Sequence, residues 1–162
     1  MIYTSVITKN RITTITASTE IKHSTEKVWE VLMLPGEIEK FHPLIRKSAM
    51  TTEKQKGVGA RRYCELLPMG VMNEVITDWQ EGRSFTTEVI GGKMLPPYRF
   101  MRGTIKVEGH GQVSHVTFTF SYQLKYGVLG SIMNTLMIRP QFKKAPSKYV
   151  GGLKAFVESR AN

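Results

Sequence analysis

The sequence predicts an α+β fold in which a broad antiparallel sheet packs against a long C-terminal helix. Three observations carry this expectation. Between Val113 and Leu124, Val116, Phe118, Phe120 and Tyr122 alternate with Thr117, Thr119 and Ser121, the period of a strand with one buried face. Directly afterwards Leu129, Ile132, Met133, Leu136 and Met137 recur at helical spacing, as a buried stripe does. Upstream, short strand-like runs are separated by Gly- and Pro-containing turns, the pattern of hairpins rather than of crossover helices.

In chain order, residues 12–22 form the first strand, with Ile15, Ala17 and Ile21 on one side. Ser24 stands at the N-cap of the next helix. Glu26 lies in its first turn, where an acid complements the helix dipole, and Val28, Trp29, Val31 and Leu32 are its buried stripe. Pro35-Gly36 ends that helix, and a short second one over residues 37–41 leads to His42-Pro43. Six further strands are expected at 48–53, 60–66, 72–79, 84–90, 98–108 and 113–124, making seven. Their breaks are Gly57-Val58-Gly59, Pro68-Met69-Gly70, Glu81-Gly82, the stretch from Gly91-Gly92 to Pro97, and Gly109-His110-Gly111. The terminal helix covers 129–159 and is bent, because Pro140 and Pro146 lack the donor that the helical ladder needs. Beyond Pro146, Tyr149, Val150, Leu153, Phe156 and Val157 restore a buried stripe, and Gly151-Gly152 permits close approach to a neighbour.

At 162 residues and 41% hydrophobic content, the chain suits one domain, 1–162, whose core needs no staples. Its single cysteine, Cys64, excludes an internal disulfide framework and a multi-cysteine metal site, and a reducing cytoplasm is the compartment expected. Residues 1–18, interrupted by Lys9, Asn10 and Arg11, lack the apolar run of a signal peptide, and no window reaches the ~20 apolar residues of a membrane span.

The net charge of +10 points to anionic partners. Arg139, Lys143, Lys144, Lys148, Lys154 and Arg160 face Glu158 as their one local acid. A solvated basic helix face accounts for them first, and transient attraction to an anionic membrane surface second. Nucleic acid ranks last, since the aromatics follow a core pattern rather than an exposed stacking platform. His23, His42, His110 and His115 have no metal-ligand spacing, with His42 read as a packing or capping residue. No nucleophile elbow, phosphate loop or dinucleotide fingerprint occurs, so no metal, nucleotide or flavin cofactor is expected.

The order of strand, two helices, strand meander and terminal helix resembles the helix-grip fold of the START-like superfamily, also called SRPBCC. Val28-Trp29, Phe41-His42-Pro43, Gly59-Ala60-Arg61-Arg62, and Asn73-Glu74 before Asp78-Trp79 carry the resemblance. Arg139-Pro140-Gln141-Phe142 and Gly152-Leu153-Lys154-Ala155-Phe156-Val157-Glu158 complete it, and they look especially like bacterial polyketide cyclase/dehydrase-type members. The resemblance implies a curved sheet wrapped around the terminal helix, with a cavity between them for an apolar small molecule. The loops Leu67-Pro68-Met69-Gly70 and Gly91 to Pro97 resemble, in position, the cavity-mouth loops of hormone-receptor members. The receptor motifs are only partly kept, so hormone sensing does not follow.

Strand alternation then names the lining. Arg62, Cys64 and Leu66 are placed inward, with Met72, Glu74 and Ile76 beside them. Phe85, Thr87 and Val89 follow, then Tyr98, Phe100, Arg102 and Thr104, then Phe118, Phe120 and Tyr122, while Met133 and Met137 reach in from the helix. As ordinary core, each large apolar side chain stabilises by about 1.5–3 kcal/mol. Arg62, Glu74, Arg102, Tyr98 and Tyr122 are more telling, because buried polar groups need partners or a ligand to orient. Glu74 is the candidate acid, base or anchor for a ligand hydroxyl, and its alternative role is an ion pair with Arg62 or Arg102, or a rim position in water. The expected function is binding or transport of a hydrophobic or amphipathic small molecule or lipid. The alternatives are a cofactor-independent cyclase or dehydratase and a peripheral lipid carrier.

Overall fold

A computed structural model describes residues 1–160; the last two residues of the expected domain, Ala161 and Asn162, lie outside the described residues. One antiparallel sheet contains β1 (Ile2–Lys9), β2 (Ile12–Ile21), β3 (Ile45–Met50), β4 (Arg61–Leu66), β5 (Val71–Gln80), β6 (Ser84–Lys93), β7 (Tyr98–His110) and β8 (Val113–Leu124). The spatial order β1-β2-β8-β7-β6-β5-β4-β3 makes β3 to β8 a meander, with the β1–β2 hairpin added beside β8. Between β2 and β3 lie α1 (Thr25–Leu32) and a 3-10 helix (Pro35–Lys40). The C-terminal helical stretch comprises α2 (Gly127–Met133), a π-helical segment (Asn134–Ile138), α3 (Arg139–Phe142) and α4 (Lys144–Ser159).

The eighth strand, β1, is the one the sequence hid. It is exposed along nearly its whole length, with Val6 half-buried, so no period-2 pattern marks it. Asn10 and Arg11, at φ 52 and 63, form the tight left-handed turn that suits a two-residue hairpin. β3 starts at Ile45, earlier than expected. β6 runs on through Gly91-Gly92, which pair with Asn73 and Met72 instead of turning. Gly92 is needed there because a Cβ would meet the Val71 carbonyl oxygen at 2.0 Å.

The expected bend in the terminal helix is taken up by a change of ladder. Residues at the junctions of the four parts keep right-handed helical angles, and the π segment directly precedes the turn containing Pro140. Pro146 sits in the first turn of α4, where its missing N–H costs little.

Two hydrophobic clusters result. The larger joins α1 and α4 to the sheet through Val28, Trp29, Leu32, Val116, Val150 and Leu153. The smaller has Ile15, Val89, Met101, Tyr122 and Leu124 as its floor, with Tyr98 and Phe120 packed against them. Leu95, in the loop between β6 and β7, packs on the same floor, and Met133, Ile138 and Phe142 cover it from α2, the π segment and α3.

The strand β7 overturns part of the expected lining. Tyr98 pairs with Leu124 and Phe100 with the next residue, Gln123, so Arg99 is an extra residue and the pleat inverts after it. Tyr98 therefore faces the second cluster, whereas Phe100, Arg102 and Thr104 turn to the outer face of the sheet. Met101, Gly103 and Ile105 take the inner positions, opposite Tyr122, Phe120 and Phe118. Arg102 is half exposed and pairs on that outer face with Glu88 at 2.9 Å, and its guanidinium lies 5.8 Å from the Phe100 ring centroid. Met137 is likewise misplaced by the helical spacing, being 59% exposed.

Candidate functional site

Among the described residues, polar members of the expected lining gather at two nodes on the inner face, one under each half of the helical cover. The first grows from adjacent strands: Arg62 on β4 is directly opposite Glu74 on β5, which in turn lies opposite Val89 on β6, with Thr87 beside it. Arg62 Nε donates to Glu74 Oε2 at 2.6 Å and Nη1 to the Pro35 carbonyl at 3.0 Å, while Thr87 donates to Glu74 Oε1 at 2.9 Å. Cys64 Sγ lies 3.9 Å from Glu74 Oε2. Both carboxylate oxygens are thus occupied. Ile76, on the next inward position of β5, is buried alongside.

Charges respond to this burial. Desolvation works against the Arg62 guanidinium, but the Glu74 carboxylate outweighs it and holds Arg62 more firmly protonated than a free arginine. Burial pushes the Cys64 thiol up to about 12, so it is no thiolate at neutral pH. Tyr149 of α4, stacked on Phe118 at 4.3 Å between ring centroids, has its phenol raised by burial as well.

His42 packs edge-on to Tyr149, and its Nδ1 accepts the Leu44 N–H at 3.2 Å. Burial, followed by the positive charge of Arg62, pushes its pKa down to about 4. A group whose folded pKa is depressed binds its proton first in the unfolded chain, so stability is full above about pH 6.5 and falls as pH drops towards 4. Urea unfolding between pH 7 and pH 4 is expected to lose about 2–3 kcal/mol from this source. His42→Asn, which keeps an acceptor for Leu44, should flatten that part of the profile.

The second node fastens the π segment to the sheet. Tyr122 donates to Asn134 Oδ1 at 2.7 Å, and Asn134 Nδ2 donates to Thr13 Oγ1 at 2.9 Å. All three residues are buried. Burial raises the Tyr122 phenol, which stays protonated and able to donate.

Of the expected lining, Arg62, Cys64, Glu74, Ile76 and Thr87 meet at the first node, with Leu66, Met72 and Phe118 packed on the larger cluster. Tyr98, Phe120, Tyr122 and Met133 gather at the second cluster, which Met72 also touches. Asn134 was absent from the expected set, although an asparagine within an apolar helical run is a usable signal of a buried polar contact. The sequence places Tyr149 in a buried stripe and His42 in a packing or capping role.

The gap lined by Val31, Pro35, Phe41, Arg62, Phe85 and Tyr149 has no room for a water. A recess lined by Thr8, Arg11, Tyr122, Gly130, Asn134 and Arg139 has about 60 Å³. Among the described residues no group of His, Cys, Asp and Glu side chains could hold a metal ion. No helix there is long and apolar enough to cross a membrane.

Residues 13–158 match the family described as polyketide cyclase / dehydrase and lipid transport. No curated protein matches. Among solved structures, the Thermus thermophilus protein TTHA0849 is similar at TM-score 0.74 and 14% identity, covering 92% of this chain and 99% of that one. A Thalictrum flavum norcoclaurine synthase point mutant in complex with a transition-state analogue is similar at TM-score 0.70 and 17% identity, covering 98% and 99%. XoxI from Bacillus cereus is similar at TM-score 0.70 and 19% identity, covering 92% and 98%. These likenesses share the architecture of sheet and terminal helix, and with most of its length matched, the chain belongs to the polyketide cyclase/dehydrase and lipid transport family of the START-like, or SRPBCC, superfamily.

Proposed function

We propose that the protein binds a hydrophobic or amphipathic small molecule, such as a lipid, between the β6–β8 floor and the helical stretch α2–α3. One observation supports this most: the second cluster is apolar, contains Met72, Met101 and Met133, and is covered by a short helical stretch that departs from α-helical geometry. Methionine side chains re-pack around ligands of differing shape, and π segments mark places where a helix can adjust. The recess of about 60 Å³ beside it holds roughly two waters, so an organic ligand enters by displacing α2–α3 from the floor. Tyr122, Asn134 and Tyr98 then supply hydrogen bonds to its polar end. Buried Cys64 and the lack of other cysteines suit a reducing, cytoplasmic setting.

Native mass spectrometry of protein purified from its own host, followed by denaturing extraction, tests this reading. A stoichiometric apolar adduct is expected, and its occupancy should drop in Phe120→Trp, which enlarges a side chain on the floor. An adduct retained in full by that variant would place the ligand elsewhere.

A cofactor-independent cyclase or dehydratase is the second reading, favoured by the convergence of carboxylate, guanidinium and hydroxyl at Glu74, Arg62 and Thr87. It requires Glu74 to move a proton, and both of its oxygens are already engaged, so binding ranks above catalysis. With an identified substrate, turnover that survives Glu74→Gln would remove Glu74 from that role.

A further inference from the structure

The face of α2 and the π segment that looks away from the sheet is apolar and uncovered. Leu129 is 73% exposed, Leu136 72%, Val128 65% and Ile132 52%. Their helical spacing would ordinarily signal core, yet Asn134, hydrogen-bonded to Tyr122 and Thr13, is the side that the segment turns inward. Tyr126, directly before α2, is also exposed, and the Lys125 N–H donates to the Pro97 carbonyl at 2.9 Å, tying the start of α2 to the β6–β7 loop, in which Met94 is exposed.

Along the chain, the charge flanking this segment has one sign. From Gly109 to Val157 the chain has no Asp or Glu, while Lys125, Arg139, Lys143, Lys144, Lys148 and Lys154 fall within that span. Lys125, Lys143, Lys144 and Lys148 are exposed, and among the described residues they form no ion pair.

We propose that this surface docks the protein on an anionic lipid bilayer, with Leu129, Ile132 and Leu136 seated at the headgroup–acyl boundary and Lys125, Lys143 and Lys144 among the headgroups. Exposed leucines in a stretch of chain whose charged residues are all basic is the composition of an interfacial helix, and neither element alone gives firm attachment. A second copy of this face would oppose lysine to lysine, and a nucleic acid would leave the leucines in water. The proposal is independent of the ligand reading and stands if no adduct is found.

The test is co-sedimentation of the full chain with vesicles of phosphatidylcholine alone or with about 30% phosphatidylglycerol. Binding is expected to the anionic vesicles, roughly tenfold or more above the neutral ones, and weakening as salt rises. Leu129→Ser with Leu136→Ser should reduce it by roughly tenfold or more at unchanged Tm, since both side chains are already in water. Lys143→Glu with Lys144→Glu should weaken it comparably and blunt its salt dependence. Equal binding of either variant and wild type, or no binding to either vesicle, would overturn the proposal. So would a concentration-dependent dimer that the serine variant abolishes, because the patch would then be covered by a second copy.

Discussion

Arg62→Met is expected to cost about 3–5 kcal/mol of unfolding free energy, the usual penalty for stranding one partner of a buried ion pair. Arg62 and Glu74 are 6% and 5% exposed, and their 2.6 Å contact is the means by which either charge is tolerated there. With methionine at 62, Glu74 keeps the Thr87 hydroxyl but must stay charged in an apolar interior or take up a proton. Adding Glu74→Gln removes that charge and leaves an acceptor for Thr87, so the double variant should recover at least about 1–2 kcal/mol of the loss. Urea unfolding of both single variants and the double variant measures the coupling. Strictly additive losses would mean that the pair does not stabilise through its charges.

Gly152→Ala should destabilise by about 2–3 kcal/mol, although alanine is the better helix former by about 1 kcal/mol. An added Cβ would lie 1.9 Å from the Phe41 carbonyl oxygen and 3.2 Å from Pro43 Cδ, so α4 would have to move off the segment leading into β3. That shift would also disturb the Phe41–Tyr149 edge contact, at 5.3 Å between centroids, and with it the wall beside Arg62. Gly151→Ala is the control, because its Cβ would meet only the Ile2 Cδ1 atom, at 3.0 Å, and that flexible end can give way. Thermal unfolding of the two variants should separate them clearly. Equal Tm values would contradict the close approach.

Much of this arrangement was legible in the residues, and the failures have physical causes. The strand β8 could be read directly, because one of its faces is buried along most of its length. The inward set Arg62, Cys64, Glu74 and Thr87 followed from simple alternation on β4 to β6, and the ion-pair alternative for Glu74 is the contact that forms. Alternation failed on β7 because a single extra residue, Arg99, inverts the pleat, and aromatic Phe100 gives no warning of it. The bulge also excludes Arg102 as the partner of Glu74. Spacing failed on α2 and the π segment for a different reason: Leu129, Ile132 and Leu136 mimic a core stripe but point to solvent, and a pattern alone cannot tell a buried apolar face from an exposed one. The edge strand β1 escaped because neither of its faces is buried.

Amide hydrogen exchange, on protein as isolated from its host and again after apolar adducts are stripped with a hydrophobic resin, tests the proposed ligand site most directly. Stripping should speed exchange across residues 128–142 and at the adjoining ends of β7 and β8, while α4 beyond Tyr149 stays protected. Protection of 128–142 equal to that of α4 in both states would contradict a displaceable cover, as would a change confined to the strands around Arg62 and Glu74.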